Sequence, residues 1–233
     1  REYTDPGTGR RTFTTVLLDV TGHGIAAALT VNRLVGELER SFAMNPAVTC
    51  DEIMAAVNSY AYYTLANHAI FVTGVASSIC DCGDGTWELC FASAGHPTAF
   101  LRRASGQCET LESTTMMLGV LPPEVFDPAS TICQFEAGDV LVIYTDGASE
   151  ASRPEGGMMG IEGVQRLVQN VGDDSEDPTN WPDRMIRHVA RWRNAPPDDD
   201  TLIAVLYRPL HAELEDVAEP AQQRVAAQYA EAM

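Results

Sequence analysis

The sequence predicts an α+β fold in which antiparallel sheets are flanked by helices. Two observations carry this reading. The strand-like and helix-like segments run strand, two helices, several hairpin strands, two helices, strand, which is not the βαβ alternation of a doubly wound parallel sheet. Short turn-forming clusters, Gly83-Asp84-Gly85 and Ala104-Ser105-Gly106, join neighbouring strand-like runs by connections that suit only antiparallel hairpins.

Residues 13–18 (FTTVLL) are β-branched and apolar and predict a strand entering the core. The segment DVTGHG at 19–24 interrupts that run, and from Ile25 the period becomes helical, with Ile25, Leu29, Leu34, Leu38 and Phe42 expected on one face. Thr49 and Glu52 form a capping box ahead of a second helix over 51–65, each satisfying an N–H that the first turn leaves orphaned. Strands are expected over 70–80 and 87–93, over 99–103 and 108–111, and over 131–135 and 140–145, each pair joined as a hairpin. Gly74, inside a strand, marks a bulge or a close approach, and the 116–119 segment (MMLG) reads as core. Helices over 161–171 and 182–192 flank an acidic loop, and 201–207 (TLIAVLY) is a last apolar strand. No repeat or linker interrupts this order. Residues 1–209 therefore read as one domain, and the Ala/Glu/Gln-rich 210–233 as a helical or disordered tail.

Composition narrows the function. The chain has 233 residues, with 15 Lys+Arg against 33 Asp+Glu and a net charge of −18. Nucleic-acid binding rests on clustered basic residues, so that charge argues against nucleic acids and against acidic lipid surfaces. No apolar run approaches the ~20 residues that span a bilayer, and the N-terminus has no apolar signal-peptide core. The first residue is Arg, so the chain reads as a fragment or a processed product. Its six cysteines, Cys50, Cys80, Cys82, Cys90, Cys108 and Cys133, are scattered without zinc-site spacing, and read as reduced thiols of a cytoplasmic protein.

Three acidic residues sit against apolar strands. Asp19 follows Leu18, Asp146 follows the run VLVIYT, and Asp198 precedes TLIAVLY. A carboxylate at the end of a buried strand is costly unless it is paired or binds a cation, and an all-oxygen donor set favours Mg²⁺ or Mn²⁺. Asp is also a common turn former and cap; the recurrence at three strand ends is what favours the metal reading. His23, between Gly22 and Gly24 at a helix start, is placed to act as a general acid near neutral pH. His96 either does similar work or is a turn residue before Pro97. His68 and His188 read as surface or packing residues, and Asp5 as a turn residue.

Four segments, in this order, resemble the SpoIIE/RsbU-like branch of the PPM (PP2C-type) metal-dependent serine/threonine phosphatases. Residues 19–28 (DVTGHGIAAA) are similar to its DVSGHGxxAA segment and 93–97 (SAGHP) to its NAGHPP. Residues 135–151 are similar to its LxxGDxLLLYTDGVTEA and 198–202 (DDDTL) to its DDxTL. The resemblance implies a PPM-type αββα sandwich and two metal ions, Mn²⁺ or Mg²⁺. Asp19 would bridge them, the Val20 carbonyl would help hold the second, and Asp146 and Asp198 would hold the first. It also implies a phosphoserine or phosphothreonine substrate, in this branch usually a phosphorylated anti-anti-sigma (STAS) protein of a sigma-factor partner-switching pathway, and often a sensor or receiver domain upstream. The family's acidic GGDxxD motif should precede Asp19, and position 1 is reached before any such motif. The sandwich is therefore expected to lack its N-terminal strand. Residues 1–233 are expected to hydrolyse phosphoester slowly or not at all, with recovery once the upstream strand is restored. Two other readings stand beside the enzyme: an inactive pseudophosphatase serving as a protein-binding module, and a small-molecule metal hydrolase.

Overall fold

The computed structural model describes residues 1–22, 25–68, 70–173, 177–209 and 222–228. The chain divides into two compact units, Arg1–His96 with Ser113–Phe135, and Pro97–Glu112 with Glu136–Met233. Each holds one five-stranded sheet, antiparallel at every pairing of its strands.

The first unit contains β1 (Glu2–Thr4), β2 (Arg11–Val20), α1 (Ile25–Met44), α2 (Cys50–Thr64), β3 (Val72–Asp81), β4 (Trp87–Ala94) and β7 (Thr131–Gln134), in sheet order β1-β2-β3-β4-β7. A strand does therefore precede the Asp19 strand. The three residues of β1 pair with 11–13 of β2, across a turn in which Asp5 Oδ1 accepts from the backbone N–H groups of Gly7 and Thr8. A run of three alternating residues is too short for periodicity to reveal.

One face of this sheet packs against α1 and α2. Val20, Val72, Ala76, Ala92 and Ala94 meet Ile53, Met54, Val57 and Ala61 in one buried cluster; each fully buried Val, Ile or Met side chain contributes roughly 1.5–3 kcal/mol. The capping box of α2 is formed by Thr49 and Glu52. Gly74 is a close-approach position, since a Cβ there would stand 2.6 Å from Leu18 Cδ2. Leu118 is fully buried, while Asn58 accepts from the Gly119 N–H at 2.9 Å and donates to the Leu121 carbonyl at 3.2 Å. In α1 the expected single apolar face is split: Leu34 and Phe42 are buried, and Ile25 and Leu29 are 82% and 55% exposed. At about 100° per residue, Ile25 points about 180° away from Leu34.

The second unit contains β5 (Ala99–Arg102), β6 (Cys108–Leu111), β8 (Val140–Tyr144), α3 (Asp146–Ser149), α4 (Gly160–Asp173), α5 (Trp181–Arg193), β9 (Thr201–Tyr207) and β10 (Gln222–Gln228), in sheet order β10-β9-β8-β5-β6. Val164, Leu167, Val168 and Val171 of α4 and Trp181, Met185 and Val189 of α5 pack on Phe100, Val142, Tyr144, Ile203 and Val205.

Two expectations are corrected here. β7 and β8 do not form a hairpin: β7 pairs with β4 in the first sheet, and β8 lies between β5 and β9 in the second. Their burial differs accordingly, because β8 is buried at every residue and β7 is a mostly exposed edge strand. In the tail, 222–228 is a strand and not a helix, pairing with β9 from Gln222↔Tyr207 to Gln228↔Thr201. Its Ala, Gln and Arg residues are good helix formers, but tertiary context overrides propensity, and pairing satisfies the row of N–H and C=O groups that β9 would otherwise expose at an edge. The rest of the tail lies outside the described residues. Among the described residues no helix is long and apolar enough to cross a membrane.

Candidate metal centre

The strand that carries Asp19 and the helix from Ile25 form as the sequence predicts, with Asp19 second from the end of β2 and Val20 at its end. Asp19 is half-buried and lies directly across from Thr73 of β3, so both side chains stand on the same face of the sheet. Thr73 Oγ1 is hydrogen-bonded to His96 Nδ1 at 3.0 Å, and His96 is buried. His96 is thus a packed residue tied to the cross-strand neighbour of Asp19, a link that the register of β2 on β3 reveals and the sequence does not. Past Val20, the Thr21 N–H donates to the Phe71 carbonyl at 3.0 Å, and the Phe71 N–H donates to Thr21 Oγ1 at 3.0 Å. The strand ends there, and Gly22, with φ +97°, turns the chain through the left-handed region that glycine tolerates. His23 lies outside the described residues. His68 and His188 are exposed, as expected.

In the second unit, Asp146 opens the short helix α3 at the end of β8. The strap 200–202 is fastened to it by four hydrogen bonds. The Thr145 N–H donates to the Leu202 carbonyl (3.0 Å) and Thr145 Oγ1 to the Asp200 carbonyl (3.0 Å). In return the Leu202 N–H donates to Thr145 Oγ1 (2.9 Å) and Thr201 Oγ1 to the Gly147 carbonyl (3.1 Å). Gly147 permits this approach, since a Cβ on it would stand 2.5 Å from the Asp200 carbonyl oxygen.

Asp146 is half-buried, and burial pushes its carboxyl above the ordinary carboxylate range. The Asp199 and Glu150 carboxylates push the same way, and the Gly147 backbone N–H opposes them. Among the described residues no cationic side chain offsets this, so the surroundings of Asp146 suit a hard cation. Burial lowers the Arg193 guanidinium from its ordinary value, and the Asp198 charge works against that. Arg193 ends α5, its Nε donating to the Ala195 carbonyl at 3.1 Å. Asn194 beyond it, with φ 52°, turns the chain toward 198–200. Of the 198–200 run, the Asp199 carboxylate contributes to the rise at Asp146. Among the described residues no three His, Cys, Asp or Glu side chains converge into a closed ligand set.

A family model described as Stage II sporulation protein E (SpoIIE) matches residues 9–209. The chain belongs to the SpoIIE family. This places it in the SpoIIE/RsbU-like branch of the PPM protein-serine/threonine phosphatases, and the two antiparallel sheets with their helices are of the PPM type. Solved structures of the same fold include the SiaA-PP2C domain of Pseudomonas aeruginosa, with a TM-score of 0.65 and 14% identity over 85% of this chain and 79% of that one. The PP2C phosphatase domain of SpoIIE from Bacillus subtilis, with a fragment of its regulatory domain, gives a TM-score of 0.66 and 21% identity over 84% of this chain and 54% of that one. The catalytic domain of the serine threonine protein phosphatase PstP, in complex with 2 manganese ions, gives a TM-score of 0.54 and 16% identity over 88% and 94%. No curated protein sequence matches the chain.

Proposed function

We propose that this chain is a metal-dependent phosphoserine/phosphothreonine protein phosphatase. The observation that carries the reading is Asp146: a half-buried carboxylate with carboxylate neighbours, held by the Thr145–Thr201 strap, at a position of the family's motif. Asp19 with the Val20 carbonyl, and Asp146 with Asp198, would hold Mn²⁺ or Mg²⁺. PstP with its two manganese ions lends the metal its support. When bound, such ions lower the pKa of a coordinated water and polarise the phosphoryl group.

The chain's own residues do the rest. The Thr145–Thr201 strap holds Asp146 in register with 198–200, and the Thr73–His96 bond anchors the strand across from Asp19. His23 donates a proton to the departing serine or threonine oxygen. The substrate is a phosphorylated STAS-domain protein in a cytoplasmic partner-switching pathway, with a sensor or receiver domain upstream controlling it.

Phosphate release from a phosphoserine peptide, measured with and without Mn²⁺, tests the reading. Slow, Mn²⁺-dependent turnover is expected, falling at least ~100-fold in Asp146→Asn, or about 2.7 kcal/mol in the barrier. Metal-independent turnover, or equal rates in the two proteins, would overturn it. Absence of any turnover alongside intact binding of the STAS protein would establish the pseudophosphatase instead.

A further inference from the structure

In the second unit, away from Asp146, a cavity of about 370 Å³ opens between α4 and α5. Leu167, Asn170 and Val171 of α4 line one side, and Arg184, Arg187, His188 and Arg191 of α5 the other. All the basic charge of the chain is arginine: the sequence contains no lysine, and three of its 15 arginines line this one cavity.

The arginines lie at positions i, i+3 and i+7 of one helix, so their guanidinium forks share a face over about 10 Å of axis. Like charges at such spacings repel and destabilise a helix by a few tenths of a kcal/mol per pair. With 33 acidic residues available, the chain could have neutralised Arg187 and Arg191. Among the described residues no carboxylate lies within ion-pair distance of Arg187 or Arg191. Arg187 Nε donates to the Asp183 carbonyl at 3.1 Å, which fixes the side chain along its helix and leaves the outer edge of the fork toward solvent.

Guanidinium forks are matched to phosphate oxygens, which they bind in pairs of parallel hydrogen bonds. A lone carboxylate would occupy one fork; the two forks of Arg187 and Arg191 are suited to a ligand with several phosphoryl oxygens. Leu167 and Val171 add an apolar wall, Asn170 adds an amide, and the volume falls in the range that holds small molecules. The net charge of −18 repels an extended polyanion such as a nucleic acid, but a small anion meets only the local field of the cavity.

We propose that the α4–α5 cavity binds a small polyphosphate anion, carried either by a nucleoside diphosphate or by free pyrophosphate. The site is separate from the phosphatase reading and needs no metal.

Calorimetric titration of protein stripped of divalent metal, at low salt, with pyrophosphate and separately with ADP, tests the proposal. One saturable site is expected, weakening as salt is added. Affinity should fall at least tenfold in the Arg187→Gln/Arg191→Gln double variant and be unchanged in Asp146→Asn, so the result does not depend on the metal centre. Tighter binding of ADP than of pyrophosphate assigns the nucleotide as the source, and equal binding assigns free polyphosphate. Amide chemical-shift changes on titration should fall within 167–191, a readout that needs no variant. Absence of saturable binding, equal affinity in the double variant, shifts located elsewhere, or binding of a phosphoserine peptide without pyrophosphate would overturn the proposal.

Discussion

Replacing Gly147 by Ala adds one methyl group where β8 hands over to α3. That methyl would stand 2.5 Å from the Asp200 carbonyl oxygen, 3.0 Å from the Asp200 carbonyl carbon and 3.1 Å from Thr201 Oγ1, where ordinary contact begins near 3.4 Å. Two of these atoms are backbone and cannot rotate away, and the third is the hydroxyl that donates to the Gly147 carbonyl. Relief therefore requires the 200–202 strap to move outward, straining the Thr145 Oγ1 bond to the Asp200 carbonyl. Overpacking of this kind costs typically 1–3 kcal/mol, and each kcal/mol lowers Tm by roughly 2–4 °C in a protein of this size. The same movement shifts Asp198 and Asp199 relative to Asp146, and metal ligands tolerate only about ±0.2 Å. Urea unfolding should show a reduced midpoint with an unchanged slope, and Mn²⁺ calorimetry a parallel loss of affinity. A variant with the wild-type midpoint and wild-type Mn²⁺ affinity would refute the idea that the strap positions these carboxylates.

Two further predictions concern charge and proton transfer. In metal-free protein the Asp146 carboxyl lies above its ordinary value, so its ionisation costs the folded state. That cost is fully present above the raised folded pKa and is relieved as pH falls toward the unfolded value near 3.8. Asp146→Asn should therefore unfold at a higher temperature than wild type at pH 7–8, with the gap closing in acid and reversing under saturating Mn²⁺; a metal-free variant less stable than wild type at pH 8 would contradict this. His23→Ala should lower kcat by about 10²–10⁴-fold, less for substrates with good leaving groups, with Mn²⁺ affinity nearly unchanged. Collapse of Mn²⁺ affinity in a folded His23→Ala protein would make His23 a ligand.

The sequence displayed what local chemistry controls. The capping box at Thr49 and Glu52, the strand ending at Val20 and the helix from Ile25, the two hairpins at 83–85 and 104–106 and the last apolar strand 201–207 could each be read from residues a few positions apart. What stayed hidden depends on pairing at long range. Residues 136–139 have turn chemistry, yet the strands they join enter different sheets. The composition of 222–228 says little about strand structure until the edge of β9 is there to pair with it. In α1 the five apolar residues form no single stripe, because the helix turns Ile25 and Leu29 away from Leu34. At the candidate site, Asp19 and Asp146 could be found as acids ending apolar strands. Within the triple-Asp run, spacing alone does not show that the Asp199 charge reaches Asp146 and the Asp198 charge reaches Arg193. His96 offered only a turn signal until the register of β3 placed Thr73 beside Asp19.

The central claim, that this SpoIIE-family chain is built around a divalent metal, meets its most direct test in a calorimetric Mn²⁺ titration of wild type and Asp146→Asn at pH 7.5. The account predicts saturable Mn²⁺ binding by wild type and at least a tenfold loss of affinity in the variant, which is about 1.4 kcal/mol. Equal affinity in the two proteins, or no binding by either, would contradict it.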